Sequence, residues 1–253
     1  MHRNITDDAT HALAYYRPHF DIKDDHGTTH VSVVDRHGSS VALTSTVNLL
    51  FGSQVMDPDT GVILNDEMVR LVVIAQPKQE LLTIVGAGQD DFATPGIPDA
   101  FGLWPSPFNY PQGGKRPLSS TSPVVFSLDD DDDEESGGRL VLGGSGGSRI
   151  FGSVAQVMLN LDWGYDLSHA VEEPRAHDQL LPRYVSVESG YRQDLLDALR
   201  ARGHNLTLFD INVGIAEVQA VVRSPAQRTR LDRHAPNVWA ASDSRKNGVA
   251  AAY

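Results

Sequence analysis

The spacing of apolar residues along this chain changes period, and the changes outline its elements. Val31, Val33 and Val34 run into the turn Asp35-Arg36-His37-Gly38, and residues 41–46 return, which predicts a β-hairpin. Residues 123–126 and 139–142 predict two more strands joined through an acidic tip. A helical period takes over after Gly147-Ser148, with Ile150, Val154, Val157, Met158 and Leu161 on one stripe and Trp163-Gly164 closing it. The spacing predicts a second helix over 191–202, with Leu195, Leu196 and Leu199 inward and Gly203 as its C-cap. Strands are expected around 206–209, 216–222 and 238–243. Residues 92–123 carry seven of the fourteen prolines, so they are expected to form a long ordered loop that covers something. Strands, then helices, then strands again predict a layered α+β domain without internal repeats.

Composition narrows the chemistry. The chain has 253 residues, 40% of them apolar, which allows a sizeable core, and no apolar run approaches a membrane span of ~18 residues. Net charge is −12, which argues against nucleic acid and anionic membrane surfaces as partners. Seven of those charges form one run from Asp129 to Glu135, read as a solvated loop tip, and without it the balance is −5. Cysteine is absent, which excludes disulfides and thiolate metal sites. Met1-His2-Arg3-Asn4 does not read as a signal peptide, while Asn4-Ile5-Thr6 and Asn205-Leu206-Thr207 are glycosylation sequons that permit a secretory location.

The candidate chemistry begins at Gly27-Thr28-Thr29-His30, directly before the first strand. A threonine released there by self-cleavage would carry its own general base, the free α-amine beside Oγ. Alone, the tetrapeptide is an ordinary turn before a strand, and His30 beside such a threonine reads as structural. Further segments carry more weight: residues 45–52 (Ser-Thr-Val-Asn-Leu-Leu-Phe-Gly), 63–68 (Ile-Leu-Asn-Asp-Glu-Met), 115–120 (Lys-Arg-Pro-Leu-Ser-Ser), 143–150 (Gly-Gly-Ser-Gly-Gly-Ser-Arg-Ile) and 241–246 (Ala-Ser-Asp-Ser-Arg-Lys).

In this order and at these intervals the segments closely resemble the small, catalytic subunit of the γ-glutamyltranspeptidase (glutathione hydrolase) family. The resemblance implies an N-terminal-nucleophile (Ntn) hydrolase with an αββα sandwich, of which this chain is the small-subunit part. It implies self-cleavage between Gly27 and Thr28, with Thr28 as nucleophile and Thr46 as the hydroxyl bonded to it. Gly146 and Gly147 match the pair whose N–H groups hold the oxyanion. Asn48, Glu67 and Asp91 match residues that hold the substrate α-amino and α-carboxylate groups, and Ser119 and Ser120 match hydroxyls on the carboxylate. The implied substrates are glutathione and other γ-glutamyl compounds, with water or amino-acid and dipeptide acceptors, and no cofactor or metal. The implied location is the secretory pathway, extracellular or membrane-anchored through a preceding part, or vacuolar. A β-lactam or glutaryl acylase is the closest chemical rival, but those enzymes commonly use serine at the cleavage point. A non-catalytic remnant with an interaction role or none is the rival from another class.

Two departures from the family pattern stand out. Val69 to Gln89 separates Met68 from Asp90-Asp91-Phe92, so Asp91 lies 24 positions from Glu67 rather than three. Val69-Arg70 and Gln89 are compatible with splice-site codons, which suggests a retained intron; the rival is a true insertion forming an extra hairpin. The second departure is that only residues 1–27 precede the cleavage point, as a remnant of the large subunit. The expected consequence is an apolar sheet face left without its partner layer.

Overall fold

The computed structural model describes residues 27–67, 72–73, 84–85, 92–96, 103–127, 138–180, 183–209, 216–224 and 238–252. The acidic run 129–135, Asp91 and residues 1–26 lie outside them.

Strand β1 (Thr28–Val34) turns through Asp35, whose carboxylate accepts from the N–H groups of His37 and Ser39, into β2 (Ser40–Thr46). The two pair antiparallel from Thr28↔Thr46 to Val34↔Ser40. Two short strands, β3 (Val72–Val73) and β4 (Ile84–Val85), pair antiparallel. The proline-rich stretch contains a 3₁₀ turn at Pro107–Asn109 capped by the Ser106 hydroxyl. Strands β5 (Val124–Ser127) and β6 (Arg139–Ser145) then form the pair expected across the acidic tip.

After β6 the chain makes a 3₁₀ turn, Gly147–Arg149, and enters helix α1 (Ile150–Asp162). Helix α2 (Leu167–Glu172), capped by the Asp166 carboxylate on His169 N, was not predicted; its single turn and a half is too short to show a period. Strands β7 (Ala176–His177) and β8 (Val185–Glu188) follow, then α3 (Gln193–Ala201), β9 (Leu206–Phe209), β10 (Glu217–Arg223) and β11 (Val238–Ser242). In α3 only Leu196 is buried; Leu195 is exposed, correcting its expected inward placement, because α3 touches a small sheet along one narrow line.

The central sheet runs β11-β10-β6-β5, all antiparallel. One face carries Leu140, Leu142, Val218 and Ala220 against Ile150, Val154 and Val157 of α1 and Leu167, Ala170 and Val171 of α2. The hairpin β1-β2 crosses the opposite face, so every residue of β6 from Leu140 to Ser145 is buried. A smaller sheet, β7-β8-β9, packs Val185 and Val187 on Leu196. The described layers are therefore helix, sheet and hairpin.

Alternation in the hairpin is inverted. Thr28, His30 and Ser32 face the central sheet, whereas Val31, Val33, Val41 and Leu43 stand about half exposed on the outer face. Gly143 makes the polar face fit, since a Cβ there would lie 2.2 Å from the His30 ring. Among the described residues this outer face of the hairpin is an exposed apolar surface.

The tail is fixed by a buried ion cluster. Asp243 is wholly buried, and its Oδ2 accepts from Arg175 Nη2 at 2.8 Å and Val218 N at 2.9 Å. Its Oδ1 accepts from Arg245 Nη1 at 2.9 Å, and Arg245 forks onto Glu188 at 2.8 and 2.6 Å. Replacing Asp243 by Asn leaves two buried guanidinium groups short of counter-charge and is expected to cost about 3–5 kcal/mol in urea unfolding. Leu142→Ala is expected to cost about 2–5 kcal/mol by opening a cavity, whereas Leu43→Thr on the open face should stay within about 0.5 kcal/mol of the parent.

Candidate active site

Thr28 opens β1 opposite Thr46, the last residue of β2, and this register sets their hydroxyl oxygens 2.7 Å apart. The Thr46 oxygen also accepts from Asn48 N at 2.8 Å. Gly27 continues the ladder: its N–H donates to Asn48 O at 2.8 Å, and its carbonyl accepts from Val47 N at 2.9 Å. A Cβ on Gly27 would meet Val47 Cγ2 at 2.4 Å and Leu49 O at 2.5 Å, so no other residue fits before Thr28 without displacing this loop.

Asn48 is buried with φ +74°, a left-handed conformation that asparagine tolerates better than most residues. Its side-chain Nδ2 is buried and has no hydrogen-bond partner among the described residues, leaving a donor to be used. Asp66, buried nearby, accepts from Leu49 N at 3.1 Å and braces the turn after Asn48.

A small open cleft lies over these groups, lined by Thr28, Thr46, Asn48, Ser119, Ser120 and Gly147. The proline-rich loop thus contributes its Ser-Ser pair to the same space as the hairpin and the glycine turn. Gly146 sits immediately before, at φ +129°, and Gly147 at φ +58°, both outside the range comfortable for side chains. Glu67 is half-buried with its N–H on Asn65 Oδ1, and it does not line the cleft. Asp91 falls outside the described residues. Among those residues no group of three His, Asp or Glu is arranged to hold a metal ion.

Several contributors were not singled out from sequence. Ser148 and Thr121 line the cleft, and Ser148 donates to Gln179 Oε1 at 2.8 Å. Lys246, noted only as part of a tail motif, donates through Nζ to the Thr28 carbonyl at 2.8 Å and to Ser145 Oγ at 3.1 Å. Only the end of a tail held by Asp243 can reach this point, so no local pattern around Lys246 could reveal it.

Comparison with known proteins places the chain in a family. The family model described as Gamma-glutamyltranspeptidase matches residues 1–86 and 84–253. The chain belongs to the γ-glutamyltranspeptidase family. It is 38% identical to glutathione hydrolase proenzyme 1 of Schizosaccharomyces pombe over 254 residues, covering all of this chain and 34% of that protein. It is 37% identical to the glutathione hydrolase proenzyme of Escherichia coli over 183 residues, covering 72% of this chain and 27% of that one. The chain thus spans about a third of the length of these relatives. Among solved structures, an acivicin-inhibited γ-glutamyltranspeptidase is similar with TM-score 0.67 and 31% identity over 87% of this chain and all of that chain. The enzyme from Pseudomonas nitroreducens, complexed with L-DON, gives TM-score 0.66 at 33% identity, over 89% of this chain and 99% of that one. The fold is accordingly that of an α+β Ntn hydrolase; a cephalosporin acylase from Bacillus halodurans, 21% identical with TM-score 0.60, shares that fold.

Two buried titratable groups beneath the candidate site oppose each other. Burial lowers His30 to about 4, so it stays neutral between Thr44 Oγ1 and Ser32 Oγ, at 2.7 and 3.0 Å. Burial raises Glu217 to about 7. His30 contributes stability that is present above its ordinary value near 6.5 and is lost as pH falls towards 4. Glu217 contributes stability that is present below its ordinary 4.5 and is lost as pH rises through 7. Between about pH 4.5 and 6.5 the two slopes are expected to cancel. Urea titrations over that range should show Glu217→Gln gaining stability with rising pH by about 2–3 kcal/mol, and His30→Asn losing a similar amount. Equal slopes in both variants would refute the assignment.

Proposed function

We propose that this chain is the catalytic part of a threonine N-terminal-nucleophile hydrolase and transferase that cleaves the γ-glutamyl amide of glutathione and its conjugates. The observation that carries the reading is the 2.7 Å bond between the Thr28 and Thr46 hydroxyls, at the floor of a cleft also lined by Asn48, Ser119, Ser120 and Gly147.

Self-cleavage comes first. The Thr28 Oγ attacks the Gly27 carbonyl carbon, whose oxygen is already polarised by the Val47 N–H at 2.9 Å. The C–N bond breaks as the acyl group passes to Oγ and the Oγ proton passes to the departing nitrogen, which frees the Thr28 α-amine; water then hydrolyses the ester, releasing Gly27 as a carboxylate and restoring the Thr28 hydroxyl. In turnover the amine takes the Oγ proton as Oγ attacks the γ-glutamyl carbonyl carbon. Thr46 orients Oγ, because its own oxygen is pinned by the Asn48 N–H.

The oxyanion forms beside Gly146 and Gly147, where the absence of Cβ lets backbone N–H groups approach, as preorganised donors must. Collapse expels the leaving amine, which takes a proton, and leaves a γ-glutamyl ester on Thr28. Water or the amine of an amino acid or dipeptide then attacks that ester. The unused Asn48 Nδ2 and the hydroxyls of Ser119 and Ser120 are suited to a substrate carboxylate. Glu67 and Asp91 are proposed for the α-amino group, which requires the 69–89 segment to bring Asp91 back to Glu67.

The partner in this reading is the large subunit of the same precursor, and its seat is the apolar outer face of β1 and β2. Residues 1–27 would be the end of that subunit. A secretory route, ending extracellularly, at a membrane through a preceding part, or in a vacuole, is consistent with an exposed Asn205 in its sequon. Among the described residues no helix is long and apolar enough to cross a membrane.

The test is the chain co-produced with a family large subunit, followed by mass spectrometry and turnover of a γ-glutamyl anilide. Release of residues 1–27 and turnover are expected, and Thr28→Ala should abolish both; a cleaved, active Thr28→Ala protein would remove Thr28 from its role. Asn48→Ala should raise KM about tenfold or more with a smaller change in kcat, the mark of a lost ground-state contact.

A further inference from the structure

Glu217 opens β10 directly across from Ser145, which ends β6 one residue before Gly146. Both side chains are buried, and Ser145 Oγ donates to Glu217 Oε2 at 2.5 Å. With its proton committed there, the Ser145 oxygen accepts from Lys246 Nζ at 3.1 Å, and the same ammonium donates to the Thr28 carbonyl at 2.8 Å. The polarity runs one way: ammonium to hydroxyl to carboxyl. Three separate stretches of chain are tied at this point, namely the nucleophile strand, the strand that feeds the glycine turn, and the tail fixed by Asp243.

We infer that Glu217 is a positioning residue. Through the Ser145 hydroxyl and the Lys246 ammonium, it holds the Thr28 backbone in a set relation to the Gly146–Gly147 turn. The inference rests on the threonine-nucleophile reading above and adds to it a carboxyl that touches neither Thr28 nor the cleft.

The charges around Glu217 make the device sensitive to protonation. Lys246 faces it from the tail and favours the carboxylate. Asp243, from the end of β11, opposes the carboxylate, and Arg175 and Arg245 lie on the far side of Asp243. Ser145 on β6 donates to it, and the neutral His30 lies on the β1 face. Burial is the largest influence and lifts Glu217 to about 7, so the group changes charge within the neutral range. Below that point Lys246 loses its counter-charge and the tether to the Thr28 carbonyl slackens.

The experiment compares the parent and Glu217→Gln, each as the full chain co-produced with a large subunit. Glutamine keeps the volume and an oxygen for Ser145 and removes only the charge. The first readout is the rate of Lys246 acylation by acetic anhydride, followed by peptide mass spectrometry from about pH 6 to 9 and referred to Lys78 and Lys115, which remain after release of residues 1–27. In the parent, Lys246 should become about fivefold less reactive relative to those lysines as Glu217 ionises, and in Glu217→Gln that step should be missing. The second readout is kinetic: kcat should fall about five- to tenfold with KM unchanged, and the acid limb of the parent kcat profile should move.

Identical labelling profiles in the two proteins would overturn the inference. So would a labelling change with kcat unaltered, since Glu217 would then charge the lysine without positioning Thr28. Labelling needs no turnover, so it reads the network even if Thr28→Ala retains activity, a result that would instead remove the reading on which this inference stands.

Discussion

The tail contact that reaches Thr28 from the C-terminal side depends on Asp243. A carboxylate with no exposure to water survives there because each oxygen accepts more than one hydrogen bond, from two guanidinium groups and two backbone N–H groups. The cluster ties α2, through the Val171 carbonyl that Arg175 and Arg245 share, to the start of β8's partner segment and to Glu188. Its geometric product is a tail that turns back across the sheet and delivers Lys246 to the Thr28 carbonyl. A buried ion cluster is poor value as pure stabilisation, but its hydrogen-bond directions admit few alternatives. That property suits a segment whose end must be placed to within a hydrogen bond.

The hairpin answers a second constraint. Its inward face is hydroxyl and imidazole, and its outward face is valine and leucine, the reverse of what a solvent-facing layer requires. With the polar face turned inward, the hydroxyls and the imidazole need hydrogen-bond partners within the fold. The described residues supply them: Thr44 and Ser32 for His30, the Gln219 carbonyl for Ser32, and Thr46 for Thr28. The catalytic reading and the open apolar face therefore have one origin, since the face that holds Thr28 is polar and the remaining hydrophobic surface points away.

The cleft is assembled from pieces that share no local rule. Thr28 and Thr46 meet through strand register, and Asn48 through a left-handed turn. Ser119 and Ser120 arrive on a proline-rich loop, and Gly147 lies at a strand-to-helix junction. Each is ordinary alone. The same layering that brings them together also buries Glu217 and Ser145 underneath, with Lys246 half-buried beside them, so a change of charge on Glu217 is little screened by water.

Local pattern in the sequence was enough to determine the hairpin, the β5–β6 pair, helices α1 and α3, and strands β9, β10 and β11. Each is long or is punctuated by glycine, proline or an acidic turn, so backbone sterics and period alone declare it. The ordered motifs likewise determined the family, and they nominated the candidate site residues. Tertiary structure alone decided the rest. Helix α2 and strands β7 and β8 are too short to have a period and exist because Val171, Ala176 and Val187 have neighbours to pack on. Leu195 faces water and Leu196 does not, because the sheet beneath α3 is narrow. Glu217 and Lys246 meet through Ser145 across strands and tail separated by much of the chain, and only the folded layers bring them within bonding distance.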